Sequence, residues 1–174
     1  MILDILRATP VWVFALFAWL LWMGVARLRT RVRRVRSLWI APVLFVAWGL
    51  SGLLGRAGPL APTLACWIVG AVAGAAIGRR IEPMPVVDRA SGAVRQAGSA
   101  IPLLRNLALF GAHYLLHVAA AFAPASAARL MSWDIAVSGL GAGYFIGWAA
   151  LVAQMWRAAP SSSVTATVPS RSSP

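Results

Sequence analysis

The sequence predicts an all-α membrane protein: a bundle of five transmembrane helices, N-terminus outside and C-terminus inside, with a short β-hairpin accommodated in the second cytoplasmic loop. Three observations predict it. Sixty per cent of the residues are hydrophobic and only 11% are charged, against about 25% charged in soluble domains. The apolar residues fall in runs of near-membrane length, which water would solvate badly and hydrocarbon solvates well. All sixteen basic residues are arginine, and they cluster between the runs.

The first span covers residues 9–26. Thr9 is positioned to cap it and Pro10 to occupy its first turn, where a missing N–H costs nothing. The N-terminal residues lack the positively charged region of a secretory signal, so this helix is expected to stay in the membrane. Arg27, Arg29, Arg31, Arg33, Arg34 and Arg36 follow. The second span covers residues 38–54. The third, residues 63–78, is short and rich in small side chains, and Arg79 and Arg80 are read as its end. A long polar segment at residues 79–106 then carries Glu82, Asp88, Arg89, Arg95 and Arg105. Within it, two valine-bearing pieces flank Ala90-Ser91-Gly92, a turn signal that allows a hairpin. The fourth span, residues 107–123, stops at Pro124, and the fifth covers residues 135–156. Residues 1–156 thus form one helical domain. The tail, residues 157–174, is Ser-, Thr- and Pro-rich and is expected to be disordered and cytoplasmic.

Orientation follows from charge. With the N-terminus outside, thirteen arginines lie on the inner side and three (Arg7, Arg56 and Arg129) on the outer side. Arginine excess marks cytoplasmic loops, so the chain is expected in a bacterial inner membrane. Trp12, Trp67 and Trp133 fall near outer ends and Trp22, Trp39 and Trp156 near inner ends, as an aromatic belt requires. The net charge of +12 does not indicate nucleic acid, because the arginines form no stripe on a soluble module. The lipid bilayer is the expected partner, with anionic lipid headgroups at the cytoplasmic loops. Arg27 to Arg36, Arg79 and Arg80 are the residues expected to set topology and meet those headgroups.

Gly70, Gly74 and Gly78 recur every four residues in the third span, and Gly139, Gly143 and Gly147 do so in the fifth. Each triplet shares a helix face and lets another backbone approach closely. The two faces are expected to contact each other or a second copy, so a homodimer or a membrane-protein partner is open.

His113 and His117, four residues apart, share a face of the fourth span and are the weak candidates for cofactor binding. Histidines at that depth mark interior or functional positions. With no carboxylate expected inside any span, the plain reading is two neutral rings bonded to Ser51, Ser138 or Tyr144. Asp134 is expected at the outer interface, capping the fifth helix and pairing with Arg129. The single cysteine, Cys66, excludes an internal disulfide and packs as a small hydrophobe. No phosphate loop, nucleophile elbow, His-Glu-x-x-His or Cys-x-x-Cys occurs. The expectation is therefore a non-enzymatic protein with no cofactor and no metal, acting through helix or partner contacts. The alternatives are a small transporter or channel component with a path past His117, Tyr114 and Tyr144, and a haem- or metal-binding redox subunit.

The order of features resembles a family of small bacterial multi-pass inner-membrane proteins, defined only as a domain of unknown function. The resemblance rests on Thr9-Pro10-x-Trp12-Val13, on Pro42 after the basic loop, and on Trp67-x-x-Gly70. The segment GSAIPLLRNLALFGAHY (Gly98 to Tyr114) and the glycine-rich last helix complete it. It covers about residues 8–156 and implies about five spans and a hairpin-like cytoplasmic loop, with no catalytic chemistry.

Overall fold

A computed structural model describes residues 9–54 and 59–160. The tail beyond residue 160, Arg7, Arg56 and the Trp12 side chain lie outside it. The described residues run α1 (Val11–Ala26), β1 (Arg31–Arg34), a 3-10 turn (Val35–Trp39), α2 (Ile40–Leu54) and α3 (Leu60–Ile81). Then come β2 (Val86–Asp88), β3 (Ala93–Gln96), α4 (Ile101–Phe122), a second 3-10 turn (Pro124–Ser126) and α5 (Ala127–Ala158). Among the described residues, three stretches are long and apolar enough to cross a membrane: Val35–Leu54, Leu60–Ile81 and Pro124–Ala158. α1 is apolar but has only 16 residues.

Several boundaries differ from the sequence expectation, each for a local reason. α3 has 22 residues, not the marginal stretch read from composition, because Arg79 and Arg80 form its last turn rather than stopping it. Cations there complement the negative end of the helix dipole. α4 starts at Ile101, six residues early. Pro102 fits its first turn, and Ser99 Oγ accepts the Ile101 N–H at 3.1 Å. Arg105 is therefore a helix residue, not a loop residue. α5 has 32 residues and starts at Ala127, which puts Asp134 two turns inside the helix rather than at its cap. The N-cap position of α1 is Pro10, and the Thr9 hydroxyl meets the Tyr114 hydroxyl of α4 at 2.7 Å.

α5 is the central helix. In its most apolar window 61% of residues are buried, against 22% and 11% in the other two membrane-length helices. α3 packs along it most extensively, α4 and α2 also pack on it, and α1 packs on α4. Large apolar side chains stay on the outside, among them Trp48 at 75% exposure and Trp22 at 72%. Such an apolar exterior has no stable place in water.

The three strands form one antiparallel sheet in the order β1-β3-β2. The hairpin read from the sequence is its β2–β3 half, with Val87 opposite Val94. Its turn holds Gly92 at φ +70°, a conformation that glycine adopts without penalty. The β1 half, with Arg31 opposite Gln96 and Arg33 opposite Val94, joins the first arginine-rich segment to the hairpin. Val94 is fully buried. It packs with Leu38, Trp148 and Val152, flanked by Val35, Val87 and Trp156. The sheet therefore sits on the C-terminal turns of α5, and both arginine-rich segments lie at one end of the bundle.

Candidate functional site

Four of the six clustered arginines surround one pocket at the sheet end. Period-two geometry puts Arg31 and Arg33 on the same face of β1, and both are half-buried while Val32 and Arg34 are exposed. Arg27 is the C-cap of α1. Arg31 Nη2 donates to the Ala26 carbonyl at 2.6 Å, which ties the strand to the end of that helix. Arg29 and, from α4, Arg105 complete the basic wall, and Glu82 supplies the one carboxylate. Leu38, Ala41, Phe145 and Trp148 make the apolar wall. The cavity encloses about 80 Å³. Arg34, Arg36, Arg79 and Arg80 do not line it.

Glu82 follows the last residue of α3 and is held firmly. Its Oε1 accepts from Arg105 Nη1 at 3.1 Å and from the Tyr144 hydroxyl at 3.0 Å. Arg105 also lies over the rings of Tyr144 and Phe145, 4.7 and 4.4 Å from their centroids. Its Nε and Nη2 donate to Asn106 Oδ1. The arrangement fixes Arg105 by one ion pair, two hydrogen bonds to an amide and two ring faces. Arg27 is the least satisfied member. Its Nε is buried without a hydrogen-bond partner. Burial holds its pKa below the ordinary arginine value, and repulsion from Arg105, Arg33 and Arg31 adds to that against the opposing pull of Glu82.

A second polar cluster lies in the other half of the bundle. Asp134, only 3% exposed, projects from α5 towards α4. Its Oδ1 is 2.5 Å from His113 Nδ1 and 3.5 Å from His117 Nε2. One proton bridges His113 Nδ1 and Asp134 Oδ1 in this hydrogen bond. A carboxylate thus does lie within a helix of membrane length, contrary to the expectation. It, rather than Ser51 or Tyr144, is the histidines' partner. Ser51 bonds to Trp48 O in its own helix, and Tyr144 belongs to the Glu82 cluster. His117 is 61% exposed at its side chain. Tyr114 bonds to Thr9, Tyr144 to Glu82, and His117 lies by Asp134. No group of three or more His, Cys, Asp and Glu side chains is placed to hold a metal ion among the described residues.

The glycine triplets meet each other. A Cβ added at Gly70, Gly74 or Gly78 would lie 2.0–2.2 Å from the carbonyl oxygens of Ala136, Leu140 and Tyr144. One added at Gly139, Gly143 or Gly147 would lie 1.9–2.2 Å from those of Trp67, Ala71 and Ala75. Pairing numbers rise together along both helices, so α3 and α5 run parallel. Backbone-to-backbone contact at this range leaves room for hydrogen only and admits Cα–H···O contacts.

These features can be set beside known proteins. Residues 1–163 match the model of a family of unknown function, DUF6622. The chain belongs to that family. No curated protein and no solved structure matches it. Family membership therefore brings no activity with it. The sequence had singled out the arginines, histidines and glycines. It missed Glu82, Arg105 and Asp134 as their partners. The available signals were the two-residue spacing of Arg27, Arg29, Arg31 and Arg33, which is a strand period, and the reach of α4 back to Pro102.

Proposed function

We propose that this member of the family is a non-enzymatic five-span helical bundle of the bacterial inner membrane. It acts through contacts at its cytoplasmic end, where the arginine-bearing sheet meets anionic lipid headgroups. The carrying observation is the three-stranded sheet that gathers the two arginine-rich segments at one end of the bundle. A surface of that charge prefers the anionic inner leaflet, at about 1 kcal/mol per arginine near the headgroups. The parallel course of α3 and α5 supports the span count, because α4 must then return between them. At about 1.5 Å per residue α5 is roughly 48 Å long, enough to cross the hydrocarbon and project its last turns to carry the sheet. The two glycine faces are used within one chain, so the reading needs no second copy at that surface.

Two measurements test this reading. In a Cys66→Ala background, Ala125→Cys should react with a membrane-impermeant maleimide in spheroplasts, and Ala90→Cys only after permeabilisation. The reverse pattern would invert the orientation. The thermal midpoint in nanodiscs should be higher with phosphatidylglycerol than with phosphatidylcholine, with a difference that shrinks as salt screens it. Equal midpoints at low salt would remove the headgroup contact.

A further inference from the structure

We propose that the pocket between α1, β1 and the N-terminus of α4 is a discrete binding site for one phosphate-bearing anion. This deepens the reading of the sheet end as the headgroup-facing end: it turns a general charged surface into a stoichiometric site.

The charge balance carries the argument. Five guanidinium groups (Arg27, Arg29, Arg31, Arg33 and Arg105) face a space with one carboxylate. That carboxylate is already engaged by Arg105 and by the Tyr144 hydroxyl. An anion placed among them relieves mutual repulsion that the single carboxylate of Glu82 offsets only in part. Several donors are poised rather than used, and the buried Nε of Arg27 has no partner. Guanidinium forks match the oxygens of phosphate in geometry as well as charge. The N-terminus of α4, a helix of 22 residues, opens on the same space through Ser99 and Pro102. The positive end of its dipole favours an anion there.

Size limits the ligand. About 80 Å³ exceeds the roughly 10–15 Å³ that one water needs, and suits a phosphate group rather than a nucleotide. Two sources offer this chemistry: free inorganic phosphate, and the phosphodiester of a phospholipid headgroup. The apolar wall of Leu38, Phe145 and Trp148 suits the carbon atoms of a lipid better than a free ion.

The test uses the full chain in detergent, with native mass spectrometry against phosphatidylglycerol and, separately, inorganic phosphate. One phosphatidylglycerol should be retained per chain ahead of any others. Arg29→Gln with Arg33→Gln removes two charges from the pocket and should weaken that first binding step about tenfold or more. Arg34→Gln with Arg36→Gln removes the same charge from exposed positions outside it and should change the step less than about twofold. If the Arg29/Arg33 pair fails to fold, Arg29→Gln alone, at an exposed position, carries the test in the same direction. Competition by inorganic phosphate with the same variant pattern would make free phosphate the occupant. Lipid binding that phosphate does not displace identifies the headgroup. Equal weakening by both double variants, or graded lipid uptake with no distinct first step, would overturn the site while leaving the general headgroup contact standing.

Discussion

At the scale of single residues, Asp134 is the most consequential side chain outside the pocket. It is nearly fully buried, and a carboxylate in that position requires compensation. His113 provides it at 2.5 Å. His113→Leu should therefore destabilise the bundle by about 1–3 kcal/mol, because it removes the shortest hydrogen bond to a buried carboxylate, leaving His117 at 3.5 Å. The double variant His113→Leu/Asp134→Leu should recover most of the loss, since a well-packed apolar pair often replaces a buried ion pair without penalty. Thermal unfolding of both in one detergent measures the coupling; a double variant no better than the single would show that the pair is not the source of the effect. Asp88 gives a milder prediction. Its carboxylate accepts from Ser91 Oγ and from the Ser91 and Ala90 N–H groups. The Ser91 hydroxyl first, then its N–H, hold the Asp88 pKa below the ordinary 3.8. A depressed pKa means that the turn's stabilisation is present above the unfolded value and fades as pH falls through the folded one. Amide exchange at Ser91 should accelerate in that acid window relative to helix amides, and Asp88→Asn should abolish the pH dependence. The histidines and the arginine cluster were legible in the sequence as residue types. Their partners were not, because Asp134 and Glu82 reach them across 21 and 23 positions of chain, a distance that only tertiary packing closes.

At the scale of elements, α3 and α5 form the interface on which the bundle depends. Glycine spacing marked both faces for close approach but left open whether they meet each other or a second copy, since a four-residue repeat of missing side chains suits either contact. The parallel direction and the interlocked register were not visible, because they depend on which way the connecting helix returns. Gly74→Ile or Gly143→Ile must push the helices apart, as even a Cβ would sit at about 2 Å from a carbonyl oxygen. A loss of about 1–3 kcal/mol or more is expected for each. Gly52 and Gly111 provide the contrast: a Cβ there meets nothing within 4 Å. Gly111→Ala should be neutral or stabilise α4 by about 0.5–1 kcal/mol, as helix propensity dictates. Detergent melting temperatures compare the two classes directly, and similar losses at all four positions would remove the interface from the explanation. β1 shows where sequence reading fell short. Its arginines alternate with two-residue spacing, but a run of charge with one exposed valine carries little of the apolar signal that marks a strand. It becomes a strand because β3 offers it an edge.

At the scale of the whole molecule, the sheet constrains the course of the chain through the membrane. β1 precedes α2 and α3, and β3 follows them. Two segments can pair only if an even number of crossings separates them, which α2 and α3 together satisfy. If α4 crosses as well, it makes a second such pair with α5, since the C-terminal turns of α5 return to the underside of the sheet through Trp148, Val152 and Trp156. α1 alone is left unmatched, which puts the N-terminus opposite the sheet if α1 crosses. At 16 residues, or roughly 24 Å, α1 is shorter than the hydrocarbon. Arg27 caps its C-terminal end and Arg31 donates to the Ala26 carbonyl of its last turn. The parity of the crossings can be tested without reference to orientation. Val32 faces Arg95 across the β1–β3 ladder, and paired Cα atoms in an antiparallel ladder lie about 4.5–5.5 Å apart, within disulfide range. In a Cys66→Ala background, Val32→Cys with Arg95→Cys should close a disulfide when isolated membranes are oxidised, read as loss of maleimide reactivity that a reductant restores. Val32→Cys with Ala125→Cys, at opposite ends of the bundle, should stay reduced under the same treatment. If the first pair remained reactive while each single cysteine labelled freely, the two arginine-rich segments would not share a sheet. The even count between them, and with it the gathered positive surface that binds the anion, would be lost together.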